Sequence, residues 1–485
     1  MSSAAAGGGA GGQPPDLGRT PGGYPLDPSP EEMQAMGRAV LDALIGWIGG
    51  LDRAPATNTE GGLELARRLR AAPPETGGDF GGVLDEALEA ARHTFEYSGP
   101  GYLAYIPGGG LFTAALAEFL AQGLNRYVGL WQPSPAVVQL EENVTRWLCD
   151  LFEMPPRAQG LLTTGGSMAN LSAMVTARRE RLGRDFLDGV YYVTDQSHAS
   201  NAKAATIAGF SKRNLRVVPT DDRLRMDPEA LRATVRQDRA TGMRPFLVAP
   251  AAGTTNTGAV DPLDAIADVA ADEGLWMHVD AAYGGFFHLT DRGRRMFRGI
   301  ERADSITLDP HKGMFLPYGT GGLVVRDGEA MKRAHEEGAA YLQDLPPAGE
   351  LPNYNEISME LSRDVRGLRV WFPLRLHGVD AFRRALDEKL DLTDRLHVSL
   401  ADDPNLEIPW APQLTVVPFR LRGGDRATNE ELLARINASK RVFLSSTMIR
   451  GEYTLRVCIV SHRTHADRID ECAELIRKAA AELAR

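Results

Sequence analysis

Cysteine, positive charge and long apolar runs are all scarce in this chain of 485 residues. Its three cysteines, Cys149, Cys458 and Cys472, are too few and too scattered for a disulfide framework or a zinc site, so we expect no metal centre. The 54 lysines and arginines face 64 aspartates and glutamates, and the net charge of −10 argues against partners such as nucleic acid or anionic membranes. No apolar run reaches the roughly 18–20 residues that a membrane-spanning helix needs.

The amino-terminal region also lacks the features of a signal for secretion. It has neither the basic start nor the apolar stretch of a secretory signal. Few cysteines suit a reducing compartment, so we expect a cytoplasmic protein. Residues 1–28 are rich in Gly, Ala, Ser and Pro and have little to bury, which predicts a disordered tail.

Short apolar segments alternate with helical patterns from about residue 160 onward. The predicted strands are 160–163, 190–194, 216–219, 246–250, 276–279, 305–308 and 321–325. This alternation predicts an α/β fold with a mostly parallel seven-stranded sheet and helices on both faces. We expect an N-terminal helical segment at 29–110, a large domain at 111–377 and a small α+β C-terminal domain at 378–485. The first helix should begin at Ser29, with Pro30 and Glu32 completing its cap.

Lys312 stands just beyond one of these strands. The strand at 305–308 ends before Pro310, because proline cannot donate to a sheet ladder. Ligands bind at the carboxyl edge of open α/β sheets, and a lysine partly removed from water there acts as an amine nucleophile. We therefore predict that Lys312 binds pyridoxal 5'-phosphate (PLP) as a Schiff base. A solvated surface lysine is the plainer alternative.

Asp280 lies at the end of another apolar strand. A carboxylate there is unfavourable unless a cation meets it, and the protonated pyridine nitrogen of PLP is such a cation. The small side chains of Ala281 and Ala282 leave room for a flat ring. The alternative is that Asp280 caps the following helix.

Three more predicted strands end in polar groups. Gly166 and Ser167 open a helix whose free amides can bind phosphate, although a plain helix cap has the same pattern. His198 is placed to lie against a cofactor ring, or is a surface loop histidine. Thr255 brings a hydroxyl to the same edge, where a capped turn explains it equally well. Counted with the aspartate and the lysine, polar groups come from five strand ends, which we interpret as one cofactor site.

These residues lie in sequence motifs that resemble those of the pyridoxal-dependent (group II) amino-acid decarboxylases, most closely the aromatic-L-amino-acid decarboxylases. The resemblance covers nearly the whole chain from about Pro30. The motifs that match are Ala104-Tyr105-Ile106-Pro107, Trp131, Ser134-Pro135-Ala136, Gly165-Gly166-Ser167, Asp195-Gln196-Ser197-His198, Gly253-Thr254-Thr255, His278-Val279-Asp280-Ala281-Ala282-Tyr283, Pro310-His311-Lys312 and Gly367-Leu368-Arg369-Val370-Trp371-Phe372. The chain departs from the common pattern at Met168, Asp309 and Gly313, which bears on the substrate more than on the cofactor.

The resemblance implies a PLP-dependent transferase fold of type I and a homodimer with shared active sites. It implies that Lys312 is the Schiff-base lysine, that Asp280 pairs with the pyridine nitrogen and that His198 stacks on the ring. The implied cofactor contacts are completed by Gly166, Ser167, Thr255, Ala282 and His311.

The resemblance also implies the substrate side of the site. Tyr105 and Pro107 would shape the substrate pocket, and Trp131 would reach in from the other subunit. A mobile loop would carry the tyrosine that protonates the substrate carbon, which local sequence identifies as Tyr341.

The implied function is PLP-dependent decarboxylation of an L-amino acid to the amine and CO2. An aromatic substrate is favoured because the resemblance is closest there, and because Tyr97, Tyr102, Tyr105 and Trp131 supply an apolar lining. An aldehyde synthase or an aminotransferase on the same cofactor is the first alternative. A catalytically silent scaffold is the second.

Overall fold

The computed structural model describes residues 26–336 and 349–484. The described residues form two compact units. The smaller unit contains the described residues up to Arg53 together with Thr59–Thr94, and the larger contains Ala54–Asn58 together with the chain from Phe95 onward. Residues 1–25 of the predicted tail lie outside the described part. The domain boundaries expected near residues 110 and 377 stay predictions.

The smaller unit consists of three helices, α1 (Pro30–Gly50), α2 (Gly62–Arg68) and α3 (Phe80–Arg92). The predicted cap of α1 is confirmed, because the Ser29 hydroxyl accepts a hydrogen bond from the Glu32 amide and the Glu32 carboxylate accepts one from the Ser29 amide. Asp79 caps α3 by accepting a hydrogen bond of 2.9 Å from the Gly82 amide. Side-chain caps thus fix where α1 and α3 begin.

The larger unit contains the predicted seven-stranded sheet. Its strands are β1 (Gln159–Thr163), β2 (Gly189–Thr194), β3 (Leu215–Val218), β4 (Arg244–Val248), β5 (Trp276–Ala281), β6 (Ser305–Leu308) and β7 (Gly321–Val325). The order across the sheet is β1-β7-β6-β5-β4-β2-β3, and four of the six neighbouring pairs are parallel. Because β7 alone runs against the others, the prediction of a mostly parallel sheet is confirmed.

Both faces of this sheet are buried. Successive residues of a strand point to opposite faces, and they enter two different apolar clusters. Leu162 and Tyr192 belong to one cluster, whereas their neighbours Leu161 and Tyr191 belong to the other. Helices therefore cover the sheet on both sides, as parallel sheets require.

Fourteen helices of the larger unit fall among the described residues. They are α4 (Phe112–Leu124), α5 (Pro135–Leu151), α6 (Gly166–Leu182), α7 (Ala199–Ile207), α8 (Pro228–Ala240), α9 (Leu263–Glu273), α10 (Asp291–Met296), α11 (Pro310–Gly313), α12 (Gly328–His335), α13 (Tyr354–Ile357), α14 (Gly367–His377), α15 (Val379–Ala401), α16 (Arg426–Ala438) and α17 (Ala466–Leu483). Short 3-10 helices occupy Lys212–Asn214, Gly285–Leu289 and Ile300–Arg302. Within the described ranges, no helix combines the length and the apolar character that crossing a bilayer demands.

A second, antiparallel sheet lies in the C-terminal part of the larger unit. Its strands are β8 (Leu406–Glu407), β9 (Val416–Leu421), β10 (Ser445–Ile449) and β11 (Glu452–Cys458), in the order β10-β11-β9-β8. Side chains of β9 and β11 pack with those of α15, α16 and α17 in a third apolar cluster. This cluster forms the core of the predicted α+β region.

The strand directions bring several loops to one edge of the large sheet. All strands except β7 point the same way, so the segments that follow β1, β2, β4, β5 and β6 share that edge. Strands β5 and β6 are direct neighbours, with Asp280 opposite Thr307. The segments that carry the predicted site residues therefore begin side by side.

Candidate active site

A cavity of about 270 Å³ lies at this carboxyl edge. Its lining comes from the segments that follow β1, β2, β4 and β6 and from the end of β5. The predicted residues that it brings together are Gly166, Ser167, His198, Thr255, Asp280, Ala282, His311 and Lys312. The five strand ends selected from the sequence thus meet around one space.

Lys312 lies on α11, the short helix that follows β6. Asp309 occupies the N-cap position of this helix, and its Oδ2 lies 2.8 Å from Nζ of Lys312. The Asp309 side chain is 3% exposed and that of Lys312 is 18% exposed. The two side chains form a largely buried ion pair at the wall of the cavity, so Lys312 is not the solvated surface lysine of the alternative interpretation.

The ring of His311 is hydrogen bonded to the residue that precedes β7. Its Nδ1 lies 2.7 Å from the Thr320 carbonyl oxygen, which requires that Nδ1 carry a hydrogen. Burial lowers the pKa of His311, so the ring is neutral near pH 7. Its Nε2 lies 3.7 Å from Asp309 Oδ2, too far for a hydrogen bond. His311 therefore does not compete with Lys312 for Asp309.

Asp280 lies inside β5, because this strand runs two residues longer than predicted. The extension is held by two backbone hydrogen bonds, from the Asp280 amide to the Pro250 carbonyl and from the Ala252 amide to the Asp280 carbonyl. The next helical segment, Gly285–Leu289, begins after Gly284. Asp280 is therefore not the helix cap that the alternative interpretation required.

Three N–H donors engage the Asp280 carboxylate. The side-chain amides of Asn201 and Asn170 lie 2.8 and 3.2 Å from Oδ2, and the Ala282 amide lies 3.3 Å from Oδ1. The Asn170 carbonyl in turn lies 3.1 Å from Nε2 of His278, so its orientation is fixed. A buried carboxylate with such donors is held in one position.

The environment of Asp280 favours its ionised form. Burial by itself raises the pKa of this carboxyl group, but the His278 ring, the Lys312 charge and the Asn201 amide outweigh burial and bring the pKa below its usual range. Burial also lowers the pKa of His278 to about 4, so that ring is neutral near pH 7. Near neutrality the ionised carboxylate therefore relies on Lys312 and on the amide donors.

Helix α6 begins at the cavity with no side chain capping it. Gly165 is its N-cap residue, and Ser167 lies within the first turn instead of capping it. A Cβ atom on Gly166 would lie 3.0 Å from Asp309 Oδ2 and 3.2 Å from the Ala282 Cβ, so glycine is what lets these groups pack together. An uncapped helix N-terminus attracts an anion such as a phosphate.

His198 and Thr255 line two other sides of the cavity. His198 is exposed and caps α7, with Nδ1 lying 2.7 Å from the Ser200 hydroxyl oxygen. The alternative interpretation of His198 as a surface histidine is thus right about its exposure, but it does not account for the place of His198 in the cavity wall. Thr254 stabilises the neighbouring turn by accepting a hydrogen bond from the Ala259 amide, while Thr255 lines the cavity.

The predicted substrate residues Tyr105, Pro107 and Trp131 do not line this cavity. The Tyr105 carbonyl accepts a hydrogen bond of 2.7 Å from a guanidinium nitrogen of Arg456. The same nitrogen also donates to the Thr255 carbonyl, at 2.9 Å. Trp131 donates its amide to Asn353. Tyr341 lies outside the described residues. The roles of all four stay predictions.

Sequence reasoning missed the amides that hold Asp280. Asn170 lies one helical turn beyond Gly166 on α6, and Asn201 lies three residues beyond His198 on α7. A buried carboxylate at a strand end requires donors, and the first turns of the neighbouring helices are where donors would be sought. The same signal points to Asp309 as the partner that a buried lysine requires.

The residues around the cavity fit PLP. The cavity offers the amine of Lys312 for the cofactor's aldehyde and the buried, ionised carboxylate of Asp280 for its ring nitrogen. The uncapped start of α6 offers N–H donors for its phosphate. Among residues 26–336 and 349–484, no group of three or more His, Cys, Asp or Glu side chains is arranged to hold a metal ion.

Comparison with known proteins agrees with this chemistry. The model of a family described as the pyridoxal-dependent decarboxylase conserved domain matches residues 90–422. The chain is 33% identical over 468 residues to an aromatic-L-amino-acid decarboxylase of Bacillus atrophaeus, covering 94% of this chain and 97% of that relative. It is 28% identical over 477 residues to a phenylacetaldehyde synthase of Arabidopsis thaliana, covering 93% and 96% of the two chains.

A solved structure is similar over almost the whole chain. The crystal structure of Oryza sativa TDC with PLP and tryptamine matches with a TM-score of 0.90 at 26% identity, covering 95% of this chain and 100% of that one. This likeness confirms the type I fold expected from the sequence.

Proposed function

The chain belongs to the pyridoxal-dependent decarboxylase family, and from that premise we propose that it decarboxylates an aromatic L-amino acid to the amine and CO2. The observation that carries this proposal is the meeting of Lys312 and Asp280 in one cavity. The aromatic substrate is supported by the decarboxylase relative, which by its name acts on aromatic L-amino acids. It is also supported by the rice structure, which was solved with PLP and tryptamine.

The cavity residues would hold PLP at three points. Lys312 would bind it through Nζ, Asp280 would pair with the ring nitrogen, and the start of α6 at Gly166 and Ser167 would bind the phosphate. His198 would cover one face of the ring. When bound, PLP draws electrons from the bond that breaks at the substrate's α-carbon.

The chain's own contribution is a fixed electrostatic environment. Asp280 keeps a negative charge deep in the site, and the amides of Asn170 and Asn201 hold that charge in one place. Such preorganised charge stabilises the protonated ring nitrogen without rearrangement during the reaction. The neutral ring of His311 adds no competing charge.

The proposed reaction predicts specific products. The enzyme should convert an aromatic L-amino acid to equal amounts of amine and CO2, and Lys312→Ala should abolish both this turnover and the absorbance of lysine-bound cofactor. Lys203→Ala, which removes an exposed lysine on α7, is the matched control and should behave as the wild type. Turnover that survives in Lys312→Ala would show that the lysine is misassigned.

The same product assay separates the alternatives. A keto acid would identify an aminotransferase, and an aldehyde with ammonia would identify an aldehyde synthase, an activity that the Arabidopsis relative carries in its name. A purified protein that takes up no cofactor would support the scaffold interpretation instead.

We assign the proton transfer to Tyr341, a proposal supported by the resemblance alone. Tyr341 would return a proton to the substrate's α-carbon after CO2 leaves. Tyr341→Phe should therefore keep cofactor binding but change the main product from amine to aldehyde. Amine formation at the wild-type rate in this variant would rule out the assignment.

We further propose that the enzyme acts as a homodimer with shared sites. Leu116, Phe119, Leu120 and Leu124 leave large apolar side chains exposed on α4, which is typical of a surface that another subunit covers. Trp131 does not line the cavity of its own chain, and we assign it to the site of the partner subunit. A light-scattering mass equal to one chain would contradict the dimer.

We propose that the enzyme is cytoplasmic. Cys149, Cys458 and Cys472 are free and buried, as suits a reducing compartment. Recovery of the native enzyme from the soluble cytoplasmic fraction of its cells tests this location, and recovery outside the cytoplasm would refute it.

A further inference from the structure

The ion pair between Lys312 and Asp309 couples two groups that have few other partners. Asp309 Oδ2 lies 2.8 Å from Nζ of Lys312, while its Oδ1 is buried with no hydrogen-bond partner among the described residues. The Asp309 carboxylate therefore depends on Lys312 for its compensation. Leaving a buried charge without its partner is strongly unfavourable.

Neighbouring groups replace neither Lys312 nor Asp309 in this pair. The ring of His311 uses its Nδ1 hydrogen on the Thr320 carbonyl and holds Nε2 3.7 Å from Asp309 Oδ2. Gly166 contributes no side chain, and a Cβ atom placed on it would lie 3.0 Å from Asp309 Oδ2, so the carboxylate packs directly against the start of α6. Asp280, the other carboxylate of the cavity, is already engaged by three N–H donors.

We propose that Asp309 is the counter-ion to which Lys312 returns as an ammonium group whenever it is not bonded to the cofactor. The proposal rests on the proposed function, because it assumes that Lys312 is the lysine that binds PLP. Asp309 is thus a positioning residue that acts through Lys312. It opposes capture of the cofactor aldehyde and favours release of the lysine when the substrate amine takes its place.

The capture step shows why the counter-ion matters. The Lys312 ammonium first releases one proton to solvent. The neutral amine then forms a carbon–nitrogen double bond with the aldehyde carbon, and both amine hydrogens leave with the aldehyde oxygen as water. Because the new bond carries Nζ away from Asp309, capture breaks the 2.8 Å ion pair and leaves the buried carboxylate without its partner.

Capture kinetics with two aldehydes test the proposal. Cofactor-free Asp309→Asn enzyme should capture PLP and pyridoxal faster than the wild type, each on the order of tenfold, as expected for the loss of one charge-assisted hydrogen bond. Asp425→Asn, which removes the same charge from an exposed helix cap, is the matched control and should not change either rate. Faster capture of PLP alone would show that Asp309 acts by repelling phosphate, which overturns the proposal.

A labelling experiment reads the lysine directly. In the cofactor-free enzyme, an amine-reactive reagent and mass spectrometry should show Lys312 labelled faster in Asp309→Asn than in the wild type, relative to Lys203 of the same chain. Unchanged or slower labelling in the folded variant would overturn the counter-ion role. Binding of PLP at Lys312 with unchanged kinetics would leave the proposed function intact, whereas a wild type that binds no PLP at Lys312 would refute that function instead.

If the variant does not fold, crystal structures of the wild type decide the matter. Without cofactor, Nζ of Lys312 should lie within hydrogen-bonding distance of Asp309, and with cofactor it should have left that position. A cofactor-free crystal with the two groups beyond 4 Å would overturn the proposal.

Discussion

At the scale of single residues, Asp280 shows how a buried charge is maintained. A carboxylate at the end of an apolar strand is unfavourable by burial alone, yet the groups around it bring its pKa below the usual range. Its Oδ2 accepts from Asn201 at 2.8 Å and from Asn170 at 3.2 Å. The two amides come from different helices, so the position of the charge depends on how α6 and α7 pack.

Removing the shorter of these hydrogen bonds should weaken the site. Asn201→Ala leaves the buried carboxylate with one donor fewer, which raises the pKa of Asp280 and weakens its pairing with the cofactor's ring nitrogen. A hydrogen bond to a charged group contributes about 1.5–3 kcal/mol, so we expect about a 10- to 100-fold rise in the dissociation constant of PLP. Fluorescence titration of the cofactor-free variant measures this constant.

A matched variant distinguishes this local effect from general destabilisation. Asn437→Ala also removes a side-chain amide that is hydrogen bonded, to the Leu444 carbonyl, but Asn437 lies in the C-terminal part of the chain away from the cavity. Its PLP affinity should equal that of the wild type. If Asn201→Ala also bound PLP as the wild type does, Asn201 would be irrelevant to the charge of Asp280.

At the scale of elements, the strands of the large sheet could be predicted because they are short, apolar and separated by helical patterns. Parallel strands then required Asp280 and Lys312 to lie at one edge, and β5 and β6 are indeed neighbours. The extent of β5 could not be predicted, since it depends on backbone hydrogen bonds to Pro250 and Ala252, which come from another segment.

Contacts between distant elements mark the limit of sequence reasoning. The amides of Asn170 and Asn201 reach Asp280 from helices that are 110 and 79 residues away along the chain. Local periodicity carries no information on such distances, because it reports only which face of a helix is apolar. The ion pair of Lys312 with Asp309 spans three residues and follows from the helical turn of α11, but that short helix carries no apolar repeat that would predict it.

At the scale of the whole molecule, buried histidines make stability depend on pH. Burial lowers the pKa of His278 and His288 to about 4 and that of His462 to about 3. Histidine in the unfolded chain has a pKa near 6.5. At a pH between about 6.5 and these lowered pKa values, the unfolded chain binds protons that the folded chain does not. Stability from these groups is therefore complete above about pH 6.5 and is lost as the pH falls toward 4.

One buried carboxyl group acts in the opposite direction. Burial raises the pKa of Asp261 to about 6, so its folded form binds a proton that the unfolded chain releases down to about pH 4. Asp261 therefore adds stability as the pH falls from about 6 to 4. Among these four groups, the three histidines lose more stability in acid than the one aspartate adds.

His288 offers a direct measurement of this effect because it lies apart from the cofactor cavity. Its ring is 5.1 Å from that of Phe152 and 6.2 Å from that of Phe297, and its Nδ1 is buried without a hydrogen-bond partner in the described part of the chain. His288→Phe keeps an aromatic ring at this position and removes the titration. Between pH 7.5 and pH 4.5 the variant should lose about 2–3 kcal/mol less free energy of unfolding than the wild type does, as measured by urea denaturation. An equal loss in both proteins would show that His288 is protonated in the folded state well above pH 4, and that the acid sensitivity of the molecule has another source.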